Sequence, residues 1–361
     1  MAEMNNMTNA RRLAGLLHPS RQEMTITDVE VCNETTKIYE LRSAENKELA
    51  YFEAGSYIPV YVEIEGNVIE RPYGLSSSPK EAEEGVYKIA VKSAIGGYVS
   101  THIIENWKKD DKVILGSPKE SEVYYPLRDG KNLIALAGGV GITPFHSIAK
   151  AVADGDNDHS LTLFYGANTY DELLYKDEWA ELEKASDGKF KMIPVIANEV
   201  IEGCEKGFIT LDIIKKYADI ADATFFISGP APMITAMKKQ LAPLGLPRKR
   251  IRVSMNGDSA FNKGESKDSY ELAIHMGGET YKTSAKADET ILVAIEKAGL
   301  RPAAYCRSGI CGFCRSMVVA GDFTLAADEN GVRYADKQFG FMHPCCSYPA
   351  SDMEIVVQRA K

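Results

Sequence analysis

Cysteines near the C-terminal end are spaced for metal chemistry. The stretch AYCRSGICGFCRS places Cys306, Cys311 and Cys314 in a C-x4-C-x2-C pattern, and Cys345 and Cys346 follow after thirty intervening residues. This spacing suits four thiolates closing on two irons, a [2Fe-2S] cluster, with three ligands on one loop whose backbone N–H groups face the sulfurs. Gly309 and Gly312 allow that loop tight turns that a Cβ would hinder. A structural zinc would show two paired knuckles, and only Cys311 and Cys314 form one. The spacing alone leaves Cys345 and Cys346 as alternatives for the fourth ligand.

Two other stretches carry groups suited to phosphates and flat rings. After the apolar run Leu133 to Ala137 comes Gly138-Gly139-Val140-Gly141-Ile142-Thr143-Pro144, then a helical pattern. A glycine-rich turn between strand and helix offers backbone N–H groups and a helix N-terminus to a pyrophosphate, and the sequence predicts Thr143 as N-cap and Pro144 as the first helical residue. Further on, Ser228-Gly229-Pro230-Ala231-Pro232-Met233 ends another apolar run. In the N-terminal third, Arg71-Pro72-Tyr73-Gly74-Leu75-Ser76-Ser77 joins a planar cation to a flat ring, and VKSAIGGYVS supplies Gly97, Tyr98, Val99 and Ser100 about twenty residues later.

The elements that must position these groups fall into three regions. From Met24 the alternation in MTITDVEVCNETTKIYELR and YIPVYVEIEG predicts half-buried antiparallel strands. Beyond Tyr125, short apolar runs (NLIALA, LTLFYG, FKMIPVIA, TFFISG, IRVSM) take turns with helical stretches, which predicts a parallel sheet covered on both faces. NGDSAFNKGES reads as a linker, and the last segment opens with a hairpin around Gly277-Gly278 followed by the helical ETILVAIEKAGL. The expected organisation is an N-terminal extension over 1–22, a β-rich domain over 23–125, an α/β domain over 126–255, a linker over 256–266 and an α+β domain over 267–361.

CRSGICGFC followed by HPCCSYPASDMEI resembles the cluster loop and closing strand of plant-type ferredoxin domains. In that family the last ligand stands four residues before a proline, as Cys345 stands before Pro349, which favours Cys345. GGVGITP with SGPAPM resembles the nicotinamide domain of the ferredoxin-NAD(P)H reductase superfamily, and RPYGLSS resembles its R-x-Y-S flavin motif. The resemblance implies an antiparallel β-barrel flavin domain, an α/β parallel-sheet nucleotide domain and an α+β ferredoxin domain of β-grasp type. It implies that Arg71 meets a flavin phosphate, that Tyr73 packs on the isoalloxazine with Gly74 and Leu75 beside it, and that Gly97 to Ser100 serve the flavin phosphates. It implies that Gly138, Gly139, Gly141, Ile142, Thr143, Pro144, Asn168, Ser228, Gly229, Pro230 and Met233 hold the nicotinamide nucleotide. Two positions depart from the family: Gly74 replaces a serine, which leaves the flavin N5 contact to backbone or Ser76, and Ser228 replaces a cysteine. Tyr73, Ser76, Thr143 and Ser228 are therefore the expected catalytic positions.

A nicotinamide gives up two electrons together and an iron-sulfur cluster takes one, and a flavin converts between them. The expected cofactors are FAD, with FMN as the alternative, the [2Fe-2S] cluster and NADH. No arginine occurs from Lys131 to Pro247, so a bidentate clamp for the 2'-phosphate of NADPH is missing, with Lys176 as the available point charge. The domain order resembles reductase components of multicomponent oxygenases and hybrid-cluster-protein reductase, which implies a protein redox acceptor; Arg301, Arg307 and Arg315 would form a basic rim for it. The rival is a flavin and cluster protein without nicotinamide turnover.

Composition sets outer limits on these readings. With 361 residues, 45% hydrophobic and 26% charged, the chain has room for several folded domains. A net charge of −9 argues against a nucleic-acid partner. No apolar run is long enough to predict a membrane span, and seven cysteines, an odd number, do not read as a disulfide framework, which suits a reducing cytoplasm.

Overall fold

The computed structural model describes residues 17–94, 97–156, 158–255, 268–309, 311–325 and 332–360, together with 13 and 15. The expected linker over 256–266, and most of the expected N-terminal extension, lie outside the described residues.

Strands β1 (Gln22–Asn33), β2 (Thr36–Ser43), β3 (Tyr57–Ile64), β4 (Asn67–Gly74), β5 (Tyr87–Lys92) and β6 (Lys112–Leu115) form one sheet in the order β4-β3-β6-β1-β2-β5. An isolated antiparallel bridge from Leu75, just past β4, to Ile89 of β5 links the two edge strands and curls the sheet on itself. Closure of this kind removes the open edges that would otherwise recruit other chains. Two short helices belong to this region, α1 (Pro79–Glu83) and α2 (Tyr98–Asn106). Helix α1 starts in a reciprocal capping box, in which the Glu81 N–H donates to Ser78 Oγ and the Ser78 N–H donates to the Glu81 carboxylate.

The second sheet is parallel throughout. Strands β7 (Asn132–Gly138), β8 (Ser160–Ala167), β9 (Phe190–Ile196), β10 (Glu205–Lys206), β11 (Thr224–Gly229) and β12 (Ile251–Met255) run in the order β10-β9-β8-β7-β11-β12. Helices α3 (Thr143–Ala153), α4 (Trp179–Ala185), α5 (Leu211–Tyr217) and α6 (Ala231–Leu241) alternate with them. Strand β7 shows why the sequence lacks polar alternation here. Leu133, Ala135 and Ala137 pack on one side with Phe145, Ile148 and Trp179, while Ile134 and Leu136 pack on the other with Ile234 and Met237. Both faces are buried, as a parallel sheet requires.

The C-terminal region pairs β13 (Ser269–Met276) and β14 (Glu279–Lys286) as a hairpin, followed by α7 (Ile291–Lys297). Then come β15 (Ser316–Ala320), β16 (Phe323–Leu325), α8 (Tyr334–Gln338), β17 (Phe341–Met342), β18 (Ser347–Pro349) and β19 (Met353–Val356). The five-stranded sheet has the order β14-β13-β19-β15-β17, with β19 parallel to β13, and β16 pairs with β18. Ile291, Ala294 and Ile295 of α7 fill the core against Leu272, Ile274 and Ile355. This is the α+β arrangement expected of the last domain.

By compactness the chain forms two units. One comprises Met1–Tyr61, Tyr73–Ser93 and Ile103–Met255; the other comprises Val62–Pro72, Ala94–His102 and Asn256–Lys361. Arg71 and the Gly97 to Ser100 segment thus belong to the same unit as the cysteines.

Candidate functional site

In the first unit the glycine-rich turn is built by close backbone packing. Residues Gly139–Ile142 form a single 3-10 turn that runs directly into α3. Thr143 is therefore the first helical residue and not the N-cap predicted from sequence: its Oγ1 donates to the Val140 carbonyl at 2.9 Å, and Pro144 takes the second position. The 3-10 turn already satisfies the groups that a cap would serve. A Cβ on Gly141 would lie 2.4 Å from the Ser228 carbonyl oxygen, and one on Gly138 would lie 2.7 Å from Met233 Sδ and 2.9 Å from Pro230 Cδ. Gly229 is equally tight, 2.9 Å from the same sulfur. The two motifs are thus one structure at the C-terminal ends of adjacent strands β7 and β11, where open α/β sheets bind ligands. Gly139 differs, with φ of +55° and open space where its Cβ would project. The turn so formed fits a pyrophosphate.

The RPYGLSS segment meets this turn. A Cβ on Gly74 would lie 2.6 Å from Thr143 Oγ1 and 3.3 Å from Pro144 Cδ, so the missing side chain is what lets β4 approach α3. Leu75 is buried. The Ser76 carbonyl accepts from His146 Nδ1 at 3.1 Å and the Ser77 carbonyl from Ser147 Oγ at 2.7 Å. His146 is fully buried, stacked on Tyr175 at 3.8 Å, and α3 is tied further to α1 by Lys150, which bonds Glu81 and Glu178. Burial holds the His146 imidazole below its usual titration range. The Ser76 hydroxyl is buried beside Tyr175. The ion pairs of Lys150 with Glu81 and Glu178 were invisible to sequence reasoning, although Ser78 and Glu81 have the S-x-x-E spacing of a capping box.

Past β8, Asn168 lies on the surface with its amide donating to the Glu172 carboxylate at 3.0 Å. Lys176, a candidate charge for a 2'-phosphate, is engaged by Asp171 at 3.3 Å.

In the second unit, Ser100 Oγ accepts the Ala94 N–H, and a Cβ on Gly97 would lie 2.5 Å from that oxygen. Ser100 thus serves the local turn into α2, with Val99 buried behind it. The Tyr98 ring lies under Lys297 Nζ at 5.0 Å. The Arg71 guanidinium grips the Glu296 carboxylate of α7, Nη1 to Oε1 at 3.2 Å and Nη2 to Oε2 at 3.0 Å.

The thiols come together two by two. The Cys311 and Ser308 N–H groups donate to Cys306 Sγ at 3.3 and 3.5 Å, and Cys314 Sγ lies 3.5 Å from Cys345 Sγ, which also receives the Gly309 N–H at 3.3 Å. The Phe313 N–H donates to Cys311 Sγ. The hydrogen bond from Cys311, together with Ser308, pulls the Cys306 thiol down to about 4. Cys346 instead turns its thiol to the His343 carbonyl at 3.4 Å. Among the described residues no three or more His, Cys, Asp or Glu side chains gather on a single-ion site, whereas two thiol pairs are what two irons with two cysteines each require. The residues present fit the cluster. His343, fully buried, braces the loop from behind, with Nδ1 at the Gly309 carbonyl and Nε2 at Asp336, both at 3.0 Å. The expected basic rim needs correction: Arg307 is buried, because two bonds to Glu296 draw it inward, while Arg315 remains half exposed beside Asp336.

Known proteins match in the same order. The oxidoreductase FAD-binding domain matches residues 23–124, the oxidoreductase NAD-binding domain 135–239 and the 2Fe-2S iron-sulfur cluster binding domain 274–350. The glycine betaine monooxygenase reductase subunit of Pseudomonas aeruginosa is 25% identical over 328 residues, covering 85% of this chain and 87% of the relative. NADH-cytochrome b5 reductase 1 of Ajellomyces capsulatus is 31% identical over 265 residues, 70% of this chain and 83% of the relative. NADH oxidoreductase HCR of Escherichia coli K12 is 24% identical, covering 84% of this chain and 88% of that one. Among solved structures, phthalate dioxygenase reductase superposes with a TM-score of 0.72 at 21% identity, over 94% of this chain and 98% of its own. A curled antiparallel sheet, a parallel nucleotide sheet and a thiol-bearing α+β sheet define an oxidoreductase with FAD-binding, NAD-binding and [2Fe-2S] modules. The chain belongs to the ferredoxin-NAD(P)H reductase superfamily.

Proposed function

We propose that the chain is an NADH-dependent reductase that passes electrons through FAD to its [2Fe-2S] cluster and on to a protein acceptor such as an oxygenase or a hybrid-cluster protein. The observation that carries this reading is the two-by-two pairing of Cys306 with Cys311 and Cys314 with Cys345, on one chain with the packed turn of Gly138 to Pro144. The relatives whose names specify a monooxygenase reductase subunit and an NADH oxidoreductase support it. We keep the domain limits 23–125, 126–255 and 267–361, and a reducing cytoplasm as the compartment.

When bound, the flavin supplies the conversion between hydride and single electrons. The residues supply place and exclusion. Gly138, Gly139, Gly141 and Ile142 would hold the pyrophosphate, and Asn168 would serve the nucleotide beside them. Thr143, Pro144, Ser228, Gly229, Pro230 and Met233 would hold the nicotinamide, and Tyr73, with Gly74 and Leu75, would hold the flavin. The carboxylates of Asp171 and Glu172 disfavour a 2'-phosphate and point to NADH over NADPH. No helix among the described residues is long and apolar enough to cross a membrane.

Anaerobic addition of NADH to the purified protein, followed by visible and EPR spectroscopy, tests the reading. Bleaching of flavin absorbance and appearance of a reduced-cluster signal within seconds are expected; absence of both with either nicotinamide would sink it.

A further inference from the structure

Tyr165 lies near the end of β8, fully buried, with its ring in the core beside Trp179. Its hydroxyl joins two backbone groups from different segments: the Leu174 N–H donates to it at 3.2 Å, and it donates to the Gly139 carbonyl at 3.1 Å. The first bond gives the second its direction, because an oxygen that accepts from Leu174 has one hydrogen left to offer, and Gly139 receives it. Leu174 is itself held, since its carbonyl accepts from Trp179 Nε1 at 2.9 Å. Burial keeps the phenol protonated well above its usual range, so it stays a donor throughout the neutral region. Gly139 is the residue of the nucleotide turn that needs such a hold. With φ of +55° and no atom near the place a Cβ would take, its backbone is the freest in the turn to rotate. Gly139 and Val140 are only half-buried, whereas Gly138 and Gly141 on either side are buried. In a trans peptide the carbonyl and the following N–H point opposite ways, so fixing the Gly139 carbonyl on Tyr165 turns the Val140 N–H away from that side chain.

We propose that Tyr165 is a positioning residue for nucleotide binding: its hydroxyl holds the Gly139–Val140 peptide in the orientation that presents the Val140 N–H to the pyrophosphate. This rests on the proposed function, because it takes the Gly138 to Pro144 turn as the pyrophosphate site. A donor already aimed before the ligand arrives spares the ordering that binding would otherwise have to impose, so the hydroxyl acts on affinity for the pyrophosphate and not on hydride transfer.

Tyr165→Phe in the full-length holoprotein tests this, since it removes one oxygen and keeps the ring in the core. With an artificial dye as acceptor, the KM for NADH is expected to rise at least fivefold while kcat stays within twofold. The Kd of ADP-ribose, which carries the pyrophosphate but no nicotinamide, is expected to rise by a similar factor in calorimetric titration. Benzyl dihydronicotinamide, a hydride donor without phosphates, provides the contrast, and its KM should change less than twofold. Tyr87→Phe is the control for loss of a buried phenol, because the Tyr87 hydroxyl donates to the Ala50 carbonyl beside the antiparallel sheet. It is expected to lower the melting temperature as Tyr165→Phe does and to leave the NADH KM and the ADP-ribose Kd at their wild-type values. Unchanged NADH KM and ADP-ribose Kd in Tyr165→Phe, an equal rise for the phosphate-free donor, or the same rise in Tyr87→Phe would each overturn the proposal alone. A wild-type protein that fails to oxidise NADH would overturn the proposed function as well.

Discussion

Cys345 and Cys346 are adjacent and both buried, yet their thiols face different partners, Cys314 and the Gly309 N–H in one case and the His343 carbonyl in the other. Cys345→Ser is expected to abolish the visible bands of the cluster, while Cys346→Ser keeps them; equal loss in both would place the fourth ligand differently. His159 offers a different test, because the ring is 1% exposed, packed on Tyr124 at 4.2 Å, and burial lowers it to about 4. As pH falls below about 6.5 the unfolded chain takes up a proton that the folded chain refuses, so stability is lost between about 6.5 and 4 and levels off below. The loss is about 3 kcal/mol at most. Chemical denaturation of wild type and His159→Gln at pH 7 and pH 4.5 would show it, with the variant losing less on acidification.

At the level of elements, the nucleotide turn depends on distances that no spacing pattern reveals. Gly141→Ala drives a Cβ onto the Ser228 carbonyl, backbone against backbone, and overpacking of this kind costs about 1–3 kcal/mol. The expected result is a lower melting temperature and at least tenfold weaker NADH binding by titration, with the cluster spectrum unchanged. Gly139→Ala meets open space and is expected to cost only the left-handed backbone penalty, about 1 kcal/mol. Both glycines are legible in the sequence but cannot be ranked there, because rank depends on what β11 brings alongside. Strand runs such as NLIALA were legible because burial on both faces forces unbroken apolarity. The helix start at Thr143 was misjudged, since threonine before proline fits a cap equally well as a first turn. Arg71 and Arg307 were legible as cations near cofactors, but their common partner Glu296 lies 225 residues from Arg71 and sits in an apolar helical run that gives no hint of an ion pair.

For the whole molecule, the question is whether the two redox halves work separately. The turn over Gly138–Pro144 and the Tyr73–Ser77 segment lie in one compact unit and the cysteines in the other. Each has its own hydrophobic core, the parallel sheet with Phe145 and Phe226 in one and α7 on β13 and β19 in the other. Cores that do not depend on each other's side chains should survive local damage in the other unit. Cys311→Ala removes one thiol of an exposed pair member without opening either core. The expected outcome is complete loss of cluster absorbance together with NADH-driven reduction of an artificial dye within about twofold of wild type, a change of less than 0.5 kcal/mol in the barrier. Reduction of a protein acceptor should fall below detection, because its electrons leave through the missing cluster. If the dye activity collapsed along with the cluster, the nicotinamide and flavin machinery would depend on the cysteine loop, and the division of labour argued from the two cores would be wrong.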